Sequence, residues 1–325
     1  MARPRIALLD TARVLTALLV VVGHLLPMGK AESTLYIYIY QFHMPLFFFI
    51  SGMLDKPGPF VPYMGKQARL LLIPLISFSM VALVERLLHI GSDVWPMAGD
   101  SMEALFASKV IKLAPTVWFL LALFHAKWLA QAVRRLPWMA GCMLWVVLLI
   151  TTYYFNPLFM ASAVMVLPIY LAGFYGKALV LRLAGQRWFG CIWPLCFAVV
   201  WLVMSWNGRV STNAAWYGHG AHGLYPHWML SFYLSAMSGT MGVLSLASLV
   251  RKPHRWIQTF AESLITVMCF QYVLIRLLRH VLFPSPLWFR LLASAVILAG
   301  CVAAHQLIMR YAPFMLGRRR KKRET

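Results

Sequence analysis

Apolar stretches long enough to cross a lipid bilayer follow one another along most of the chain. A membrane-spanning helix needs about 17–25 predominantly apolar residues, and ten windows meet this requirement. They are residues 6–28, 35–53, 69–89, 116–133, 138–155, 158–176, 188–206, 227–250, 257–282 and 287–310. The pattern predicts an all-α, polytopic integral membrane protein with about ten transmembrane helices.

The charges support this prediction and indicate an orientation. Hydrophobic residues make up 61% of the 325 residues and charged residues only 12%, whereas soluble domains contain about 25% charged residues. The net charge of +21 would suggest a nucleic-acid partner in a soluble protein. Here 19 Lys and Arg residues occupy the two ends and alternate loops, against four in the other loops. Because Lys and Arg remain on the cytoplasmic side of short loops, both termini are expected to be cytoplasmic, with no nucleic-acid partner.

No appended soluble domain is expected, because neither of the two longest loops, 90–115 and 207–226, has an apolar core of its own. The chain 1–325 is interpreted as a single membrane domain, with a helical membrane core over 1–317 and a basic cytoplasmic tail over 318–325. The tail is better explained by contact with anionic lipid than by nucleic-acid binding.

Three polar residues interrupt the first apolar window. Asp10 and Arg13 are spaced i, i+3, so they can pair along a helix surface. His24 follows Arg13 by eleven residues, which places it within about 20° of the same helix face and about 16 Å farther along the axis. Single-face charges inside a membrane commonly line a cavity or substrate path. The plainer alternative is that Asp10 and Arg13 neutralise each other while His24 lies at a hydrated helix end.

His43 stands in the second window, which runs antiparallel to the first. Its depth from the outer end is similar to that of His24, so two imidazoles are expected to face one cavity. Histidine is the side chain whose ordinary pKa suits proton abstraction near neutral pH. A hydrogen bond from His43 to a backbone carbonyl of a neighbouring helix is the structural alternative.

Four stretches are similar to one known family. They are "LLDTARVLTALLVVVGH", "FHMPLFFFISGML", "KQARLLLIP" and "VWFLLALF". These residues resemble the membrane acyltransferase 3 family and, within it, the branch of fucose 4-O-acetylase-like and polysaccharide O-acetyltransferases. The resemblance is strongest over the first 125 residues. It implies transfer of an acyl group, usually acetyl from acetyl-CoA, to a sugar hydroxyl of a glycan or lipid-linked saccharide.

The resemblance also implies roles for particular residues. The arginine of the family's D-x-x-R motif falls on Arg13, and its catalytic histidine falls on His24. The basic R-x-x-R element at the next cytoplasmic loop falls on Lys66 and Arg69, which are therefore expected to bind CoA phosphates. Positive-inside topology explains these two residues about equally well.

The chemistry of acyl transfer fits these residue types independently of the family. A sugar hydroxyl needs a general base to attack a thioester, and the resulting oxyanion needs a positive or donor group. His24 can serve as the base, and Arg13 can contact the donor or the oxyanion while Asp10 holds it in place.

Two positions depart from the family pattern. Lys66 stands where the family has arginine, and a lysine lacks the planar fork that makes bidentate phosphate contacts. In the late stretch "ESLITVMCFQYVLIR", Gln271 stands where a histidine is expected. The late helix is therefore expected to contact the acceptor differently.

Further candidates concern the acceptor and a metal. Trp118 belongs to a set of tryptophans near predicted outer helix ends, where an interfacial belt is the usual explanation and a stacking platform for sugar the alternative. Glu262 and Arg276 lie deeper and are expected to line the cavity. His219 and His222 lie in a glycine-rich loop without acidic or cysteine neighbours, so no metal site is expected.

The sequence thus predicts an acyl-CoA-dependent O-acyltransferase of a bacterial inner membrane. Its expected partners are the lipid bilayer, acyl-CoA (acetyl-CoA or a related donor) and a glycan acceptor. The alternative from another class is a transporter or flippase that moves a glycan without chemistry. Transporters are commonly built from internal repeats with matched broken helices, and the chain shows no clear repeat.

Overall fold

The computed structural model describes residues 6–26, 30–56, 58–88, 118–154, 159–206, 226–252, 254–282 and 285–318. Helices account for the regular structure of these residues. In chain order they are α1 (Ala7–Leu25), α2 (Lys30–Tyr40), α3 (His43–Leu54), α4 (Phe60–Leu88), α5 (Trp118–Val133), α6 (Trp138–Tyr154), α7 (Met160–Ala184), α8 (Trp193–Trp206), α9 (Pro226–Ser248), α10 (Arg255–Glu262), α11 (Leu264–Leu277), α12 (Arg279–Leu282) and α13 (Leu287–Tyr311). Short 3₁₀ turns lie at Trp188–Cys191 and Pro313–Leu316. The all-α prediction is therefore confirmed for the described residues.

The helices are of the kind that crosses a bilayer, although the predicted number of ten spans is not confirmed. Six helical segments of the described chain are long and apolar enough to cross, and the bent pair α10–α11 would be a seventh. Helices α5, α6 and α8 coincide with predicted windows and have 16, 17 and 14 residues, respectively. They lie at or below the lower end of the spanning range of about 17–25 residues. A multi-pass membrane protein is the architecture that follows.

Several predicted boundaries were wrong because an apolar window marks hydrophobicity and not helical extent. Helix α4 begins at Phe60, so Lys66 and Arg69 lie on a helix and not in the predicted loop. Helix α7 continues to Ala184 and includes Lys177. A helix satisfies its own backbone hydrogen bonds in any solvent, so it can extend beyond its apolar part.

Two of the predicted spans are broken. The window 35–53 contains α2 and α3, separated at Gln41 and Phe42. Pro45 has no backbone N–H and therefore cannot make the helical bond to the carbonyl of Gln41. The window 257–282 divides into α10, α11 and α12, and α10 is bent by 74° from α11.

Helices α3 and α7 pack with their backbones in contact. A Cβ atom at Gly52 would collide with the backbone carbonyl of Tyr170, and one at Gly173 would collide with the carbonyl of Phe49. In membranes, where burying apolar surface gives little driving force, helix pairs associate through small residues that permit close approach. The glycine of "FFFISG" is thus required by this helix crossing.

Replacing Gly173 with alanine should destabilise the protein, because the new methyl group meets backbone that cannot move aside. Overpacking of this kind costs about 1–3 kcal/mol or more. We expect a lower melting temperature and less monodisperse protein in detergent. Gly176→Ala, one turn later on α7, is the matched control because a Cβ atom at that position would have nothing within 4 Å. Equal melting temperatures for the two variants would contradict the proposed crossing.

Candidate active site

Asp10 and Arg13 form the ion pair that their spacing predicts. Arg13 Nη1 donates to Asp10 Oδ1 at 3.2 Å. Asp10 is buried, while Arg13 keeps about a quarter of its side chain exposed. Both side chains border the space beside α1, and the arginine is the more exposed of the two.

That space is a cavity of about 1110 Å³ at the end of the bundle where α1 begins. Its walls come from α1, from the C-terminal end of α3 and from the first part of α4. Helices α5 and α7 contribute one residue each, Lys127 and Lys177. The lining residues are Ile6, Leu9, Asp10, Arg13, Leu54, Asp55, Lys56, Gly58, Pro62, Tyr63, Lys66, Gln67, Leu70, Lys127 and Lys177. Five of these side chains are cationic and two are carboxylates, so the cavity carries an excess of positive charge.

The second carboxylate belongs to a polar cluster that the sequence did not reveal. Asp55 ends α3 and is 1% exposed at its side chain. Its carboxylate accepts from Tyr63 Oη at 2.7 Å and Lys127 Nζ at 3.4 Å, and it pairs with Arg134 Nη2 at 3.0 Å. The sequence signals for this cluster are a charged residue directly after an apolar run, Asp55, and a lysine inside an apolar window, Lys127.

Burial alone would raise the pKa of the Asp55 carboxyl. The neighbouring Lys127 ammonium, the Tyr63 hydroxyl and the Arg134 guanidinium outweigh that effect and hold the pKa below its ordinary value. Asp55 therefore stays ionised at neutral pH. Because its folded-state pKa is lowered, its contribution to stability is present above its unfolded pKa and is lost only as pH falls through the lower folded value.

His24 lies at the other end of α1 from the cavity, within a group of aromatic rings. Its ring centroid is 6.3 Å from that of Tyr40 and 6.1 Å from that of Tyr272. Gly23 allows this approach, because a Cβ there would lie 2.9 Å from the Tyr40 ring. The Nδ1 atom of His24 is buried and has no hydrogen-bond partner among the described residues.

His43, at the start of α3, contacts the same tyrosine. The ring centroids of His43 and Tyr40 are 4.4 Å apart, so Tyr40 lies against both imidazoles. His43 is buried, and its Nδ1 lies 3.0 Å from the carbonyl oxygen of Ile39. A carbonyl only accepts hydrogen bonds, so Nδ1 carries the hydrogen and the neutral ring has its lone pair on Nε2. This bond is local, four residues apart within the predicted window 35–53, and is not the contact to a neighbouring helix that was the structural alternative. It orients the His43 ring across the α2–α3 break.

The end of α1 next to His24 is held by an arginine of the last long helix. Arg290 of α13 is buried and donates from Nη1 to the carbonyl of Leu25 at 3.1 Å. The last carbonyls of a helix have no partner within the helix. Arg290 thus fixes the turn of α1 that carries His24.

Lys66 and Arg69, the predicted donor-binding pair, do not lie at the same place in the structure. Lys66 lines the cavity, whereas Arg69, one turn later on α4, is not among the lining residues. The backbone carbonyl of Arg69 is packed against Gly317. The structure therefore brings Lys66, but not Arg69, to the cavity beside Arg13.

The predicted acceptor residues lie apart from the cavity. Trp118 is 7% exposed and packs against Phe159, with ring centroids 6.0 Å apart. Glu262 is exposed at the last position of α10. Gln271 is fully buried on α11, and its amide atoms have no hydrogen-bond partner among the described residues. His219 and His222 lie outside the described residues.

The model of the acyltransferase 3 family, described as an acyltransferase domain, matches residues 6–306. The chain belongs to this family. No curated protein and no solved structure matches it. The family match spans every part of the site, from Asp10 on α1 to Arg290 on α13.

The cavity and the histidines offer different chemistry. The basic cavity suits an anionic donor, because ammonium and guanidinium groups bind phosphate through charge-assisted hydrogen bonds. The two imidazoles supply ring nitrogens that can accept and return a proton. Both features share α1, which connects Arg13 to His24 over about 16 Å.

Proposed function

We propose that this acyltransferase is an O-acetyltransferase of a bacterial inner membrane, with both termini cytoplasmic. It moves an acetyl group from acetyl-CoA to a sugar hydroxyl of a cell-surface or exported glycan, or of its lipid-linked precursor. The resemblance to the fucose 4-O-acetylase-like and polysaccharide O-acetyltransferase branch supports the acceptor class. The basic cavity that opens onto Arg13, on the helix that carries His24, is the observation that supports the donor.

The donor's phosphates lie in the cavity, and its pantetheine arm extends along α1. Lys56, Lys66 and Lys177 line the cavity, and none forms an ion pair with a carboxylate of the described chain. The pantetheine arm is long and flexible, which suits the distance of about 16 Å between Arg13 and His24.

His24 acts as the general base in this proposal. It takes the proton from the sugar hydroxyl as the hydroxyl oxygen attacks the thioester carbonyl carbon. The tetrahedral intermediate collapses with cleavage of the C–S bond, and the imidazolium returns the proton to the departing thiolate. His43 also contacts Tyr40, and in this proposal its Nε2 lone pair assists proton movement.

The acceptor sugar lies against tyrosine rings near these histidines. Tyr36 and Tyr40 have ring centroids 4.0 Å apart on α2, and Tyr40 contacts His43. Aromatic faces stack against the apolar C–H faces of pyranose rings. Their position beside the proposed base supports a sugar acceptor in place of a simple alcohol.

Transfer assays on the purified protein test this function. Protein in nanodiscs is supplied with isotopically labelled acetyl-CoA and a glycan extracted from cells that lack the gene. Release of CoA thiol and labelling of the glycan should both require the protein. Mass spectrometry of surface glycans with and without the gene identifies the acylated sugar. Movement of a glycan across the membrane without thiol release would favour the transporter alternative.

Arg13→Lys should raise the KM for acetyl-CoA by about tenfold, because lysine keeps the charge but loses the planar fork that grips the donor. The KM for the acceptor should stay within about twofold. Asp10→Asn should have a smaller effect, since Asp10 acts only by holding Arg13. Measurement of both KM values for the three proteins checks this assignment, and an unchanged KM for acetyl-CoA in Arg13→Lys would refute it.

A further inference from the structure

The buried cluster at Asp55 is not balanced in charge. One carboxylate is paired with two cations, at 3.4 Å from Lys127 Nζ and 3.0 Å from Arg134 Nη2. The side chains of Asp55, Lys127 and Arg134 are only 1%, 11% and 8% exposed, respectively. An uncompensated buried charge is costly, so the cluster carries an excess positive charge that favours an anion nearby.

Lys127 is the cation of the cluster that faces the cavity. Arg134 is not among the residues that line the cavity. Its Nη2 also donates to Gln131 at 2.7 Å, and its guanidinium lies 4.2 Å from the Phe174 ring centroid. Lys127 lines the cavity and also donates to the Tyr170 hydroxyl at 3.3 Å. The contacts with Asp55 and Tyr170 fix the position of the Lys127 ammonium group at the cavity wall.

Lys66 borders the same cavity as Lys127. Both side chains line the cavity, and their charges repel one another. Lys66 has no carboxylate partner among the described residues, and Asp55 is already shared by two cations. Two ammonium groups on one cavity with a single shared carboxylate between them and Arg134 leave a deficit of negative charge, which a phosphate group can supply.

We propose that Lys127 and Lys66 form an inner phosphate subsite of the cavity, with Asp55 as the positioning residue for Lys127. The inference deepens the proposed function and rests on it, since it assigns this subsite to a phosphate of the acyl-CoA donor. Lysine suits such a site as a compact point charge. Lys127 thereby becomes a donor-binding residue on α5, a helix outside the D-x-x-R and R-x-x-R motifs.

Donors that lack successive phosphates test the subsite. Binding of acetyl-CoA, acetyl-dephospho-CoA, acetyl-4′-phosphopantetheine and acetylpantetheine is measured for the full-length protein in nanodiscs. Lys127→Met should weaken binding of a donor that carries the recognised phosphate by about 10- to 100-fold. Binding of acetylpantetheine, which has no phosphate, should be unchanged. The shortest donor that still shows the loss identifies which phosphate Lys127 binds.

Two further variants separate binding from folding. Lys127→Gln keeps hydrogen bonds to Asp55 and Tyr170 but removes the charge, so it should show the same loss with an unchanged melting temperature. Lys252→Met removes one positive charge from an exposed loop and should bind every donor as the wild type does. Equal weakening of acetylpantetheine by the Lys127 variants, or no weakening of any donor, would overturn the subsite.

Inorganic pyrophosphate distinguishes this inference from the proposed function. Calorimetry should show that wild-type protein binds pyrophosphate and that Lys127→Gln binds it at least about tenfold more weakly. Pyrophosphate binding without any binding of CoA would support the subsite and refute the acyl-CoA donor. Failure of the wild type to bind either molecule would refute both.

Discussion

His24→Gln abolishes acyl transfer if His24 is the general base. Glutamine has similar volume and keeps hydrogen-bonding capacity, but it cannot take a proton at neutral pH. Loss of a general base lowers the rate by about 10²–10⁴-fold. The transfer rate is measured with saturating acetyl-CoA and acceptor, while membrane expression and melting temperature are followed to establish that the variant is folded.

His43→Gln is the matched comparison, because a glutamine amide can still donate to the Ile39 carbonyl that His43 contacts at 3.0 Å. We expect a smaller loss than for His24→Gln. A well-folded His24→Gln protein with near-normal transfer would remove His24 from the mechanism. If His43→Gln alone lost activity, His43 would be the base.

Asp55→Asn should be strongly destabilising. The substitution removes the carboxylate between Lys127 and Arg134 and leaves two buried cations facing each other. Breaking a buried ion pair by removing one partner costs about 3–5 kcal/mol, a large part of the stability of a typical domain. We expect a marked fall in the melting temperature in detergent and in the amount of protein recovered from the membrane.

Asp10→Asn provides the control for this substitution. Asp10 is buried, but its partner Arg13 keeps a quarter of its side chain accessible and can remain hydrated when the carboxylate is removed. Pairs spaced i, i+3 on a helix contribute only about 0.2–0.5 kcal/mol. Its melting temperature should therefore stay close to that of the wild type. Equal destabilisation by the two substitutions would contradict the central role of Asp55. Restoration of stability in the double variant Asp55→Asn, Lys127→Met would support the charge-balance explanation.

The local features of the site followed from the sequence because they depend on helical spacing. Asp10 and Arg13 are three residues apart on one helix, so their ion pair required only the helix itself. The order of Arg13 and His24 along α1 followed in the same way. The family match over residues 6–306 agrees with the resemblance seen in the four quoted stretches.

The extent of α4 and its orientation could not be predicted from the sequence, each for its own physical reason. Hydropathy windows placed Lys66 and Arg69 in a loop, because polar side chains lower the apolar score of a segment whose backbone is still helical. The distinction between Lys66 at the cavity and Arg69 outside it depends on how α4 is rotated against its neighbours. Rotation about a helix axis is set by tertiary packing and not by local composition.

The sequence by itself determined that the helices are apolar enough for a lipid bilayer. It also determined that Asp10, Arg13 and His24 lie on one face of α1. Only the tertiary structure decided that Asp55 meets Lys127, 72 residues later, and that His43 and His24 lie against the same tyrosine. In lipid, each helix satisfies its own backbone and can form from local sequence alone. The arrangement of helices depends on close contacts such as those of Gly52 and Gly173 and on buried charges finding partners, which are properties of distant segments taken together.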